Sequence, residues 1–74
     1  MEEILINTPY VTLGQFLKLA DIIQSGGEAK LYLANNKVLI NDEEDNRRGR
    51  KLKDGDIIKT KEKTYRIINE NIYI

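Results

Sequence analysis

Apolar residues recur along this chain with two different periods, and the change between them marks its elements. Ile4, Leu5 and Ile6 stand together and are stopped by Asn7-Thr8-Pro9, the pattern of a short strand buried on both faces or against a helix. From Leu13 the spacing becomes helical. Leu13, Phe16, Leu17, Ala20 and Ile23 fall at i, i+3, i+4, i+7 and i+10, and Thr12 with Gln15 has the spacing of a capping box at the start. Gln15, Lys18 and Asp21 lie off that stripe and face solvent or a ligand. Ser25 and Glu28 repeat the capping spacing and open a second helix over about 25–35, which buries Ala29, Tyr32 and Leu33. The Asn35-Asn36 pair ends it, because asparagine tolerates the left-handed conformation. Only a tight corner at Gln24-Ser25 separates the two helices.

Beyond residue 37 the apolar runs are short and suit strands: 38–40, 57–60, 64–68 and 72–74. The connections are a polar stretch over 41–46, a tight turn at Asp54-Gly55-Asp56 and hairpin-sized links over 61–63 and 69–71. Strand, helix, helix and then several strands predict an α+β fold, with a helix pair packed on one face of a small, mostly antiparallel sheet.

A chain of 74 residues is read as one domain over 1–74, near the size at which a single core barely offsets chain entropy. Little room is left for an enclosed active site. The 12 basic and 12 acidic residues cancel, yet they are segregated. Residues 1–45 hold three lysines against eight acids, a net of −5, and residues 46–66 hold nine basic residues against three acids, a net of +6. A neutral molecule with this distribution supports a strong local potential. Without cysteine there is no disulfide framework or thiolate site, and without histidine the commonest metal ligand and general base are both missing. The acidic start and a longest apolar run of four residues, 31–34, argue against a signal peptide or a membrane span, so a cytoplasmic protein is expected.

Two stretches carry candidate chemistry. In Ser25-Gly-Gly-Glu-Ala-Lys30 the Ser25 hydroxyl is expected to accept from the Glu28 N–H while the Glu28 carboxylate reaches back to the Ser25 N–H. Gly26 and Gly27 then leave first-turn N–H groups without an intrahelical partner or a shielding side chain, so a phosphate could approach closely, with Lys30 adding charge. The second stretch, Arg47-Arg-Gly-Arg-Lys-Leu-Lys53, is the densest basic run and is expected to join the helix start in one surface for structured RNA. Both features have plainer readings. A basic run also suits a soluble hairpin edge, and Gly-Gly before a helix is often chain geometry. Asp42-Glu-Glu-Asp45 could suggest a hard cation but lacks the alternating ligand spacing and loop glycine, and reads as a solvated turn. Ser25 has no histidine to activate it, so catalysis is not expected. Of the four tyrosines, Tyr32 and Tyr73 fit the core, and Tyr10 alone sits in a polar neighbourhood where it could stack on a base.

Thr12-Leu-Gly-Gln-Phe-Leu-Lys-Leu19, Ser25-Gly-Gly-Glu-Ala-Lys30, Val38-Leu-Ile-Asn41, Arg47-Arg-Gly-Arg-Lys-Leu52 and Gly55-Asp-Ile-Ile-Lys59 together resemble the S4 RNA-binding domain, or αL motif. The similarity is greatest to its small stand-alone bacterial members of the YaaA and YbcJ type, and covers about residues 8–60. It implies a helix pair and a strand-turn-strand that contact the backbone of folded RNA, without catalysis or cofactor. By position it assigns RNA contact to Lys18, to Ser25, Gly26, Gly27 and Lys30, and to Arg47, Arg48, Arg50 and Lys51. The chain departs from the family at Gly26, where many members carry arginine, and at Asn41-Asp42, where Asn-Gly is usual.

The expected protein is therefore a monomeric, non-catalytic module for structured RNA, ribosomal RNA among the candidates, with no metal, membrane or small-molecule substrate. The alternative is a protein-interaction adaptor with a basic surface, in replication or ribosome assembly. Arg47, Arg48 and Arg50 are expected to face solvent with few stabilising contacts, and Leu52 to be the first anchored residue after them.

Overall fold

The computed structural model describes residues 1–73, with backbone only for Ile72 and Tyr73. Strand β1 (Glu2–Ile6) and the short β2 (Val11–Thr12) precede helix α1 (Leu13–Leu19); a 3-10 turn (Gly26–Glu28) leads directly into α2 (Ala29–Asn35). There follow β3 (Leu39–Ile40), β4 (Glu43–Glu44), β5 (Lys51–Leu52), β6 (Ile57–Lys59), β7 (Thr64–Asn69) and a 3-10 turn (Glu70–Tyr73). The main sheet has the order β1-β7-β6-β3-β4, with only the β1–β7 pair parallel, and β2 pairs with β5 in a separate antiparallel ribbon. The two helices and mostly antiparallel sheet are the α+β fold that the patterning predicts.

Strand register explains why the helices have one face to pack on. Ile4 lies opposite Ile67, Ile58 opposite Tyr65 and Ile40 opposite Ile58, so buried residues of four strands share one side. Leu13, Phe16 and Leu17 of α1 and Ala29 and Leu33 of α2 complete that core, and the Phe16 ring meets Tyr65 edge-on at 5.1 Å. Tyr32 is only half-buried. Its hydroxyl donates to Glu62 at 3.0 Å, tying α2 to the β6–β7 hairpin, and burial together with that carboxylate pushes its pKa up to about 12.

Three expectations change. Helix α1 stops at Leu19 instead of reaching Ile23, because Asp21 takes a left-handed φ of 61°. Asp21 N–H donates to Lys18 C=O and Ile22 N–H to Leu17 C=O, which is the double closure of a Schellman motif. Ile23 still reaches the core from the turn beyond. The polar stretch after β3 is not all loop. Asn41 (φ 51°) and Asp42 (φ 70°) form a two-residue turn of the I′ kind, and Glu43 and Glu44 pair back on Ile40 and Leu39 as an exposed edge strand. Aspartate stands where glycine would be easiest, and Lys59 Nζ holds its carboxylate at 2.9 Å. Finally, the strand expected over 72–74 is replaced through Tyr73 by the 3-10 turn, in which Asn71 N–H donates to Asn69 Oδ1. Residue 74 and the side chain of Tyr73 lie outside the described residues.

Candidate nucleic-acid interface

The basic arm between β4 and β5 is docked on the start of α1. Leu13 N–H donates to Arg50 C=O at 2.7 Å and Gly14 N–H to Arg48 C=O at 2.9 Å, while β5 pairs Lys51 with Thr12 and Leu52 with Val11. These bonds use donors that a helix start otherwise leaves unpaired. Thr12 N–H donates to Gln15 Oε1 and Gln15 N–H to Thr12 Oγ1, so all four N–H groups from Thr12 to Gln15 are satisfied. Gly14 is small for a reason. A Cβ there would lie 3.4 Å from Arg48 O and 3.5 Å from the Ala29 Cβ, so the basic arm and the first residue of α2 meet across this glycine.

Within the arm, Asp45 acts as a clasp. Its side chain is only 9% exposed, and its carboxylate accepts from Arg47 Nη2 at 2.7 Å and Arg50 Nη1 at 2.9 Å. Asp45 Oδ1 also accepts the Arg47 N–H at 2.9 Å in an Asx turn, and Arg50 N–H closes the next turn onto Arg47 C=O. The Arg47 hydrogen bonds, foremost, and those of Arg50 hold the Asp45 carboxyl well below the usual carboxylate range, and the same pairing raises Arg47. The arginines are therefore not free of contacts as the sequence led us to expect. Arg47 and Arg50 are held by Asp45, and the backbone of Arg48 and Arg50 is anchored before Leu52 is reached. Arg48 itself is exposed and has no ion pair among the described residues. Asp45 looked like part of a solvated acidic turn. Its signal was the Asp-x-Arg spacing at the head of the basic run.

The other predicted residues fall around this arm. Lys51 extends its ammonium over the Tyr10 ring, 4.9 Å from the centroid. Lys18 lies one turn on from Gly14 and lines a groove that also includes Tyr10 and Gln15. Lys30 is exposed on the first turn of α2. At the preceding 3-10 turn, Ser25 and Glu28 keep the reciprocal arrangement, but the bonds with good geometry run toward the carboxylate. Glu28 Oε1 accepts from Ser25 N–H at 3.1 Å, Ser25 Oγ–H at 3.3 Å and Gln24 N–H at 3.3 Å. The Ser25 hydroxyl thus also donates to the carboxylate. Gly26 and Gly27 are exposed, with open space where a Cβ would stand.

Two further acids are tied into the fold. Asp42 pairs with Lys59, and Asp56 bridges the Lys53 N–H and the Asn41 side-chain amide.

The sequence profile of the S4 domain family matches residues 4–68, which takes in both helices, the arm and the sheet up to β7. The chain belongs to the S4 domain family. A relative in Bacillus subtilis (strain 168), described as a probable ribosome maturation protein, RlbA, is 66% identical over 53 residues, covering 72% of this chain and 75% of the relative. No solved structure matches the chain. In this S4 domain the arm and the first residue of α2 meet across Gly14, and no helix among the described residues is long and apolar enough to cross a membrane.

Proposed function

We propose that this S4 domain is a non-catalytic module that binds folded RNA in the cytoplasm by gripping its phosphate backbone. The observation that carries the reading is the docking of the arm: two main-chain bonds on α1 and the Asp45 clasp hold a cluster of cations in fixed geometry on a protein of zero net charge. Pre-organisation lowers the ordering cost of binding, and guanidinium forks match phosphate oxygens. Arg48 and Lys51 reach phosphates directly, and Arg47 and Arg50 present their remaining donors beside them. Lys18, Lys30 and the main chain at Ser25, Gly26 and Gly27 extend the contact at its margin, where Glu28 already supplies part of the anion that the turn can hold. Shape and phosphate spacing, more than base edges, are read by such a surface.

Likeness to a ribosome maturation protein supports ribosomal RNA as the partner class. The test is capture from lysate with and without ribonuclease, followed by binding of a folded ribosomal RNA fragment and a single strand of equal composition. RNA should be recovered directly and the folded fragment preferred. Partners that persist after nuclease, with no RNA bound by the pure protein, would instead support the adaptor reading.

A further inference from the structure

Five large apolar side chains among the described residues are well exposed, and three of them, Leu5 (55%), Tyr10 (44%) and Leu19 (55%), line one groove of about 1100 Å³. The groove runs between the end of β1, the 7–11 loop and the outer side of α1. Isolated exposed apolar residues need no explanation, but convergence on one concave site does. Pro9 adds an apolar wall, and Asn7, Gln15 and Glu70 supply hydrogen-bonding groups. Gln15 is already fixed by the α1 cap, so its amide is held in place without the groove being filled. Lys18 stands on the lining, and Lys51 borders it through the Tyr10 ring.

We propose that this groove receives one unpaired base of the bound RNA, stacked on Tyr10, while Lys18 and Lys51 meet the phosphates on either side of it. This rests on the RNA reading above and deepens it. A base has apolar faces and a polar edge, which matches apolar walls with polar groups at the ends, and the cations at the rim select an anionic polymer over an uncharged peptide. The position also follows from chain geometry: Lys51 belongs both to the phosphate-binding arm and to the Tyr10 ring, so a strand crossing the arm arrives at the groove within one residue. The 7–11 loop keeps Tyr10 in place through the bond from Thr8 Oγ1 to Tyr10 C=O at 2.9 Å, which involves no side-chain atom of Tyr10.

Two short RNA hairpins, one with a single bulged adenosine and one with an abasic residue at the bulge, should be titrated against wild type, Tyr10→Phe and Tyr10→Ala. Adenosine monophosphate and ribose 5-phosphate should be titrated alongside, with protein resonances observed. Wild type and Tyr10→Phe should favour the bulged hairpin about tenfold over the abasic one, and Tyr10→Ala should bind both alike with an unchanged salt slope. The nucleotide should shift groove resonances that the sugar phosphate leaves unmoved. Equal binding of both hairpins by wild type, with arm resonances shifted, would overturn the base site and leave the RNA reading standing. If neither hairpin is bound, both fall, and groove resonances that respond only to added ribosomal proteins would assign the groove to a protein segment.

Discussion

The two helix starts of this protein are written with nearly the same letters and built differently. Thr12 and Gln15 close the first start completely: each side chain takes the other's main-chain N–H, and the arm carbonyls of Arg50 and Arg48 take the two donors between. Ser25 and Glu28 leave the second start partly open, with a carboxylate collecting three donors outside the turn and two bare glycines inside it. The closed start is where a loop of like charges is fixed to the fold, and the open one is where the chain keeps unshielded backbone at the surface. Stability should therefore reside at the first start, and any ligand contact at the second should be removable at little structural cost.

The largest effect should come from filling the seam at the closed start. Gly14→Val places branched carbons against Arg48 and Ala29, and urea unfolding should show a loss of about 1–3 kcal/mol as arm and α2 are forced apart. Gly27→Val, with open space around it, should cost less than about 1 kcal/mol. Similar losses at both glycines would erase the distinction. Removing the caps should follow the same order. Thr12→Val should destabilise by about 1 kcal/mol, because a first-turn N–H loses its acceptor. Ser25→Ala should cost only a few tenths, since the Glu28 N–H keeps the Ser25 C=O as an acceptor at 3.1 Å when the hydroxyl is removed.

Acid should act on the arm. Asp45 is depressed in the folded state, so its stabilisation is present above the ordinary carboxylate pKa and is lost as pH falls below it toward the folded value. Asp45→Asn should lower stability at neutral pH by about 1 kcal/mol, the partners being surface groups, and should flatten the acid limb of stability against pH. Melting curves from pH 7 to pH 2 would show it, and an unchanged acid limb would mean that the clasp carries no stability. A small structural effect is also expected at Gly27→Asp. Thermal unfolding should stay within about half a kcal/mol while RNA binding weakens, and a fall in both would make the glycines packing residues.

How much of this was legible in the sequence depends on the range of the interaction. The caps, the α1 stripe, the β6–β7 hairpin and the family resemblance rest on residues close in the chain, and they read correctly. The Schellman end at Asp21 did not, because an aspartate in the left-handed conformation is a local choice that the surrounding apolar spacing hides. The I′ turn at Asn41-Asp42 was masked in a similar way, its aspartate held by Lys59 from a different strand. At the site, the residue types were readable and their attachments were not. The arm is tied to α1 by main-chain bonds, which leave no mark on composition, so Arg47 and Arg50 looked free when Asp45 holds both. The meeting of Lys51 with Tyr10 joins residues 41 positions apart and had no signal along the chain.

The central claim is that the docked arm meets phosphates, and salt dependence tests it most directly. Arg48 and Lys51 can be changed to glutamine together without touching the Asp45 clasp, so stability should barely move. Affinity for a folded ribosomal RNA fragment should fall against salt with a log–log slope of roughly −3 for wild type, and the double variant should lose about 1.5 of that slope. Lys61→Gln with Lys63→Gln, on the far hairpin, should change it by less than about half a unit. A wild-type slope near zero, or a far pair that matters as much as the arm, would contradict the account.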